Sequence, residues 1–224
     1  MEHRKQKEAN NNTETNNSNN MGITAKQSEK QEREYTPAPQ GNHIAICYQI
    51  IEIGTEKKMT AQGLKEQKKV RLTWELTNEL MADGKPYSVG ADYTLSMYKS
   101  AILRRDVENW IGKKFTDEEA EVYDISKLIN QPCMLNVVHN VSAKNGKTYA
   151  NVSGVTPLAK GVPKPTQINP GFVFSFDPWD DKKFASLPEW IKKRIEQTPE
   201  FKARLDGPHQ NDHQPTVEPD DLPF

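Results

Sequence analysis

Seven basic side chains in this chain are grouped along predicted strands and the polar segments beside them. Two of them begin the polar face of an alternating segment at residues 69–77, and the others fall in lysine-bearing stretches before and after such segments. The seven are Lys57, Lys58, Lys65, Lys69, Arg71, Lys144 and Lys147. Ammonium and guanidinium groups bind phosphate through charge and hydrogen bonds. This pattern therefore predicts binding of an anion rather than catalysis.

Residues 69–77 are the segment that must position this chemistry. The apolar residues are Val70, Leu72, Trp74 and Leu76, and they alternate with Lys69, Arg71, Thr73, Glu75 and Thr77. Because side chains alternate between the two faces of a strand, this period of two predicts one buried face and one wet face. The two cations at the start of the wet face lie where a polyanion could cross a sheet.

Four further strands are predicted around this one. They cover residues 42–54, 87–98, 133–141 and 149–155. The stretch at residues 54–67, with three of the lysines, is predicted to be a loop. A helix with apolar residues at helical spacing is predicted over residues 99–111, ending at Gly112. The last two strands are joined by an Asn145-Gly146 turn that lies between Lys144 and Lys147.

The order β-β-β-α-β-β predicts an all-β fold of a particular kind. It is the order of the OB-fold, a five-stranded Greek-key β-barrel with one inserted helix. The sheet face of this fold and its loops L12 and L45 bind oligonucleotides. Both of these loops carry lysine in this chain, and a helical extension follows the barrel toward the C-terminus.

Composition divides the 224 residues into four segments. We predict a disordered Asn-rich tail at residues 1–36, an OB-fold domain at 37–160, a linker with an aromatic segment and an amphipathic helix packed on the barrel at 161–205, and a disordered acidic tail at 206–224. The N-terminal tail has almost no apolar residues to bury, and the C-terminal tail has five acids and no Lys or Arg. The aromatic run at residues 172–184 is predicted to be an extra strand or a dimer contact, and Ser186 is predicted to cap the following helix with Glu189.

Several classes of function are not predicted. Cys47 and Cys133 lie in apolar runs, and the chain has no signal peptide or long apolar segment, which together favour two buried thiols in a reduced, cytoplasmic protein with no membrane contact. The scattered histidines give no metal-ligand spacing, so no metal or cofactor is predicted. Since the chain also lacks a phosphate-binding loop and a nucleophile motif, we do not expect an enzyme.

The aromatic residues divide into core and surface candidates. Trp74 and Tyr93 fall on apolar strand faces and are predicted to be core. Tyr98 and Tyr149 have polar neighbours and are predicted to stack on bases. Arg104, within the predicted helix, is expected to point to solvent.

The last five residues resemble a known recognition motif. They are Asp220, Asp221, Leu222, Pro223 and Phe224, at the very end of the chain. In order and in position they are similar to the acidic tip of bacterial single-stranded-DNA-binding proteins, which recruits replication, recombination and repair proteins. An inert acidic tail is the alternative that we weigh against this one.

A second resemblance covers residues 38–160, which are similar to single-stranded-DNA-binding proteins with an OB-fold that phages encode. The matching residues are Cys47-Tyr48, Ile53-Gly54-Thr55, Trp74-Glu75-Leu76, Tyr93-Thr94-Leu95-Ser96, Leu103-Arg104-Arg105-Asp106, Pro132-Cys133, Leu135-Asn136-Val137-Val138-His139 and Tyr149-Ala150-Asn151-Val152. The family leads us to expect a basic residue before Tyr93-Thr94, where this chain has Ala91 and Asp92.

The resemblance implies non-sequence-specific binding and protection of single-stranded DNA during phage DNA replication, recombination and repair, in the cytoplasm of a bacterial host. From their places on the predicted strand and loops, we expect the binding residues to be Lys57, Lys58, Lys69, Arg71, Tyr98, Lys144, Lys147 and Tyr149. The resemblance of the tip implies that it recruits partner enzymes. Two alternatives stay open: an OB-fold protein that binds RNA or anneals strands, and a protein–protein adaptor without DNA binding. The sequence also leaves open whether the protein is a homo-oligomer.

Overall fold

The computed structural model describes residues 36–61 and 63–206. The predicted disordered tails, apart from Thr36 and Asp206, lie outside the described residues, and so does the tip at 220–224. The described residues form the strands β1 (Gly41–Thr60), β2 (Gly63–Leu80), β3 (Pro86–Thr94), β4 (Pro132–Val141), β5 (Thr148–Thr156) and β6 (Phe172–Phe174). They also form the helices α1 (Ile102–Ile111), α2 (Asp117–Glu121), α3 (Asp181–Ser186), α4 (Glu189–Glu196) and α5 (Pro199–Asp206), and a 3₁₀ turn at Ile125–Leu128.

The strands form one sheet in the order β3-β2-β1-β4-β5, and these five are antiparallel to their neighbours. The sixth strand, β6, pairs in parallel with the middle of β1. The two outer strands β3 and β5 also contact each other. The chain is therefore a predominantly β protein, as the sequence predicts, with a helical connection between β3 and β4 and further helices after β6.

The apolar face of β2 lies in the centre of the main core. Val70, Leu72, Trp74 and Leu76 are at most 1% exposed, so the buried face predicted by the alternation is confirmed. The Trp74 ring packs on Trp110 of α1 at 5.7 Å between centroids. Burying a large apolar side chain stabilises the fold by about 2–3 kcal/mol, so Trp74 is a strong contributor to this core.

The segment predicted as a loop at residues 54–67 is instead the end of a long β-hairpin. The ladder between β1 and β2 continues through Lys58↔Lys65 to Thr60↔Gly63. Bulges in β1 next to Tyr48 and Ile53 bend the strand, and pairing then resumes. In the described part of the chain, residues 56–60 and 63–67 pair only with each other, and we call this protruding hairpin the arm.

The connection after β3 also differs from its prediction. The third strand, expected to reach residue 98, ends at Thr94. Leu95 N still donates to Lys68 O of β2 (2.7 Å), but Ser96 N turns back and donates to Thr94 O (2.8 Å). The helix expected from residue 99 begins at Ile102 and ends, as predicted, at Gly112, whose φ of 69° is left-handed.

Arg104 of α1 is buried, contrary to the prediction that it points to solvent. Its guanidinium donates to Glu108 Oε1 (3.0 Å), to Asp117 Oδ1 (3.1 Å) and to the carbonyl of Phe115 (2.7 Å). Hydrogen bonds from Lys114 and Arg104 lower the pKa of Glu108 to about 2. This network fixes α1 to the turn that leads into α2.

Residues 161–206, which we call the C-terminal extension, pack against β1 and form a second apolar cluster. Its buried members are Ile51, Ile53, Phe174, Leu187, Ile191 and Ile195, and five partly buried aromatic residues surround them. The aromatic run at 172–184 thus supplies the docked strand β6 and much of this cluster. The predicted capping box is wrong: Ser186 is the last residue of α3, its hydroxyl donates to Lys183 O (2.7 Å), and α4 begins after Pro188 without a side-chain cap.

Candidate nucleic-acid interface

The arm presents lysines on both of its faces. Lys57 lies opposite Glu66, and their charged atoms are 3.3 Å apart. Lys58 lies directly opposite Lys65, and within the described residues neither has a carboxylate within 4.0 Å. Two like charges opposite each other on a ladder are destabilising. No carboxylate of the described residues compensates this pair.

Lys69 continues the same face of β2 toward the sheet. Residues two apart on a strand share a face, so Lys65, Gln67 and Lys69 point the same way. The Lys69 ammonium donates to Gln67 Oε1 (2.7 Å) and to Thr94 Oγ1 (2.9 Å). Partial burial lowers the pKa of Lys69, and the charge of Lys58 lowers it further. A phosphate near this group would relieve that repulsion.

Arg71 is the next residue on this face, and its guanidinium is already engaged. It is bonded to Asp92 Oδ1 at 2.6 Å, and it lies 4.9 Å from the ring centroid of Trp190 in α4. It also lies on Gly90, where an added Cβ would come within 2.3 Å of Arg71 Nη2. Arg71 is therefore held between the backbone of β3 and an indole ring.

Asp92, which stands near the position where a basic residue was expected, explains part of this arrangement. Its second oxygen accepts from Arg194 Nη1 at 2.7 Å. Although burial alone would raise the pKa of Asp92, the charges of Arg71 and Arg194 and their hydrogen bonds hold it below its usual range. The acid in β3 thus joins two arginines, one from β2 and one from α4.

The outer face of the sheet is covered by other parts of the chain beyond Arg71. On β2 this face carries Lys69, Arg71, Thr73 and Glu75. Thr73 is 7% exposed and Glu75 is completely buried, so the wet face predicted for this strand is wrong at both residues. The Glu75 carboxylate accepts from the backbone N–H groups of Ile168 (2.5 Å) and Asn169 (2.7 Å) and from Asn169 Nδ2 (2.6 Å). The start of the C-terminal extension therefore crosses the sheet at Glu75.

The β4–β5 turn carries the second predicted group. Lys144 and Lys147 are exposed, and Ser142 N donates to Lys147 O (2.9 Å) to close the turn, in which Gly146 has a φ of 66°. The Tyr149 hydroxyl accepts from Asn145 Nδ2 at 2.9 Å, and 38% of the Tyr149 side chain is exposed. These residues form a small polar surface with an aromatic ring.

The two lysine-bearing hairpins extend from opposite ends of β1. The first residues of β1 pair with β4 (Gly41↔Val137), and its last residues form the arm. Because β4 runs antiparallel to β1, the β4–β5 turn extends past Gly41, away from the arm. A strand of nucleic acid that contacts both hairpins must cross the molecule.

Tyr98 lies apart from both groups, in the connection between β3 and α1. It is 73% exposed and lines a surface cleft of about 750 Å³. Asp117, Glu121 and Asp124 line the same cleft, together with Lys99 and Arg104. With three carboxylates, this cleft suits a phosphate less well than the arm does.

Sequence reasoning missed the exposure of Trp190 and its contact with Arg71. Ile191 and Ile195 of α4 are buried, whereas Trp190 is 49% exposed and lies one turn before Arg194 on the flank of that apolar stripe. In the sequence Trp190 belongs to the same stripe, and its partner Arg71 is more than a hundred residues away. No signal in the local pattern indicated the contact.

Comparison with models of known protein families finds none that matches this chain, and comparison with curated proteins also finds no match. In the described ranges, no helix has the length and apolar character needed to cross a membrane. Residues 36–61 and 63–206 contain no cluster of three or more Cys, His, Asp or Glu placed to hold a metal ion.

Proposed function

We propose that this protein binds single-stranded DNA without sequence specificity and protects it during phage DNA replication, recombination and repair in the cytoplasm of a bacterial host. The observation that carries the proposal is the pair Lys58–Lys65, which stands opposed on the arm without acidic partners among the described residues. An extended polyanion supplies the missing negative charge. The arm is narrow and protrudes, so it can lie along a flexible single strand.

The proposed fold is the OB-fold, a five-stranded Greek-key barrel. The strand order β3-β2-β1-β4-β5, with β1 shared between β2 and β4, supports it. Contact between β3 and β5 brings the two edges together, and the helical connection lies between β3 and β4, as it does in that fold. In this assignment the arm is the L12 hairpin and the β4–β5 turn is L45.

The proposed path of the single-stranded DNA begins on the arm. Lys58, Lys65 and Lys69 lie on one face of the β1–β2 hairpin. Since Thr73 and Glu75 are both covered, the bound DNA cannot follow the outer face of β2 beyond Arg71. Lys144, Lys147 and Tyr149 form a second contact, and Tyr98 a third, if the strand is long enough to pass around the molecule.

The proposed function is tested by gel-shift titration with oligo-dT and with a DNA duplex of the same length. We expect a shift with the single strand, weaker binding of the duplex, and competition by DNA of unrelated sequence. An equal preference for a matching RNA would favour the RNA-binding alternative. Absence of a shift at low salt would favour the adaptor alternative and overturn the proposal.

The acidic tip has a separate proposed role, which is recruitment of replication, recombination and repair enzymes. A terminal Phe with its carboxylate, preceded by two acids, fits an apolar pocket rimmed by basic residues on a partner. Deleting residues 220–224 should leave oligo-dT affinity unchanged or raise it, and should abolish capture of such enzymes from a host extract. A fall in DNA affinity would contradict this role.

A further inference from the structure

We propose that Trp190 of α4 is a base-stacking platform that continues the nucleic-acid path from the arm onto the C-terminal extension. The ligand is an unpaired base of a single strand whose phosphates contact Lys58, Lys65 and Lys69. This inference rests on the proposed function, and it adds a binding residue from outside the barrel strands.

One face of the indole is fixed by Arg71. The guanidinium lies 4.9 Å from the Trp190 ring centroid, in the range where a cation is attracted to the ring face. Arg71 is itself held by Asp92 at 2.6 Å and by its contact with Gly90. Even so, about half of the Trp190 side chain is exposed, which leaves surface for a second planar group to stack.

The helix that carries Trp190 is rigidly attached. Ile191 and Ile195 are at most 1% exposed in the second apolar cluster. On the flank next to them, Arg194 donates to Glu56 Oε1 (2.9 Å) at the base of the arm and to Asp92 Oδ2 (2.7 Å) in β3. A platform fixed in this way loses little conformational freedom when a base stacks on it.

The charges around the ring favour nucleic acid over an apolar protein segment. This face of the β1–β2 hairpin and β3, together with Arg194 of α4, carries the cations Lys58, Lys65, Lys69, Arg71 and Arg194 and the carboxylates Glu56 and Asp92. Arg71 and Arg194 bind these two carboxylates, and among the described residues no carboxylate forms an ion pair with Lys58, Lys65 or Lys69. The three lysines therefore give this face an excess of positive charge. A single strand supplies both groups that this surface can bind, phosphates for the lysines and a π-face for the indole.

The test compares three proteins, the wild type, Trp190→Ala and Trp190→Phe, each checked for an unchanged melting temperature. The probes are oligo-dT and an oligonucleotide of equal length whose sugars carry no bases. We expect Trp190→Ala to bind oligo-dT about tenfold more weakly, which is the loss of roughly one stacked base, and Trp190→Phe to restore most of the affinity. Binding of the abasic strand should be equal in all three.

Other outcomes separate this proposal from the proposed function. If the wild type binds oligo-dT and Trp190→Ala binds it equally well, the stacking platform is overturned and the proposed function stands. If Trp190→Ala loses affinity for the abasic strand to the same extent, Trp190 acts through structure and the stacking platform is overturned. If the substitution changes the oligomeric state of the protein in solution, Trp190 acts through self-association and the stacking platform is also overturned. If the wild type binds neither strand, both proposals fail.

Discussion

The two halves of the β1–β2 hairpin share one ladder of hydrogen bonds but have opposite surroundings. In the half nearer the sheet, residues such as Ile51, Leu72 and Trp74 are fully or almost fully buried. In the arm, Met59 is 73% exposed and Leu64 is 59% exposed. An isolated two-stranded hairpin is marginally stable in water, so the arm depends on the packed half for its structure.

Because of this difference, one part of the hairpin serves stability and the other part is available for binding. Side chains in the packed half contribute to the free energy of unfolding and have little access to a ligand. Side chains in the arm contribute little to stability and are accessible. Substitutions in the two halves should therefore change different measurements.

The largest expected effect on stability is at Trp74 in the packed half. Trp74→Ala should lower the free energy of unfolding by about 3–5 kcal/mol, because it leaves a cavity next to Trp110. Trp74→Phe should cost less, since Trp74 Nε1 is buried without a hydrogen-bond partner among the described residues and its removal breaks no bond. Urea unfolding measures both, and equal losses in the two variants would contradict this explanation.

The next largest effect is expected at Glu75, where the C-terminal extension crosses the sheet. Glu75→Ala leaves the N–H groups of Ile168 and Asn169 without their acceptor and should cost about 2–3 kcal/mol. Hydrogen exchange at these two amides should become faster. Glu79→Ala on the same strand is the matched control, because Glu79 is 40% exposed and its removal should cost less than about 1 kcal/mol.

A smaller effect on stability is expected at Glu108, whose buried ion pair with Arg104 contrasts with the exposed pair of Glu66 and Lys57 in the arm. Glu108→Gln should lower the melting temperature by several degrees at pH 7, whereas Glu66→Gln in the arm should leave it nearly unchanged, since Glu66 and Lys57 are each more than 60% exposed. The folded-state pKa of Glu108, about 2, lies below its ordinary value of 4.5. Its contribution is therefore complete above pH 4.5 and is lost as the pH falls toward 2. If the difference in melting temperature between the wild type and Glu108→Gln is the same at pH 7 and pH 3, the stabilising role of the ionised Glu108 carboxylate is refuted.

Local patterns predicted the elements whose cause is local. The period of two in β2 gave its buried face, the spacing of Leu103, Val107 and Trp110 gave α1, and Gly112 gave its end. The arm was predicted as a loop, because its residues are mostly polar and its two large apolar residues, Met59 and Leu64, form no repeating pattern.

The residues whose surroundings differ from the prediction have partners that are distant in the sequence. Glu75 is buried because Ile168 and Asn169 bond to it, and Arg104 because Asp117 and the carbonyls around it do. Arg71 was predicted as a phosphate contact, whereas its nearest partners are Asp92 and Trp190. These contacts follow from the tertiary fold and from no pattern within one segment.

The salt dependence of oligo-dT affinity tests the role of the arm most directly. It is measured by fluorescence anisotropy for the wild type, for Lys58→Gln/Lys65→Gln, and for the control Lys127→Gln/Lys160→Gln, whose lysines are exposed outside the arm. If each arm lysine neutralises one phosphate, the arm variant should lose about 1.4 from the slope of log K against log salt, about 0.7 per contact. The control should keep the wild-type slope, and all three proteins should unfold at the same urea concentration. An arm variant with the wild-type slope and affinity would contradict the account.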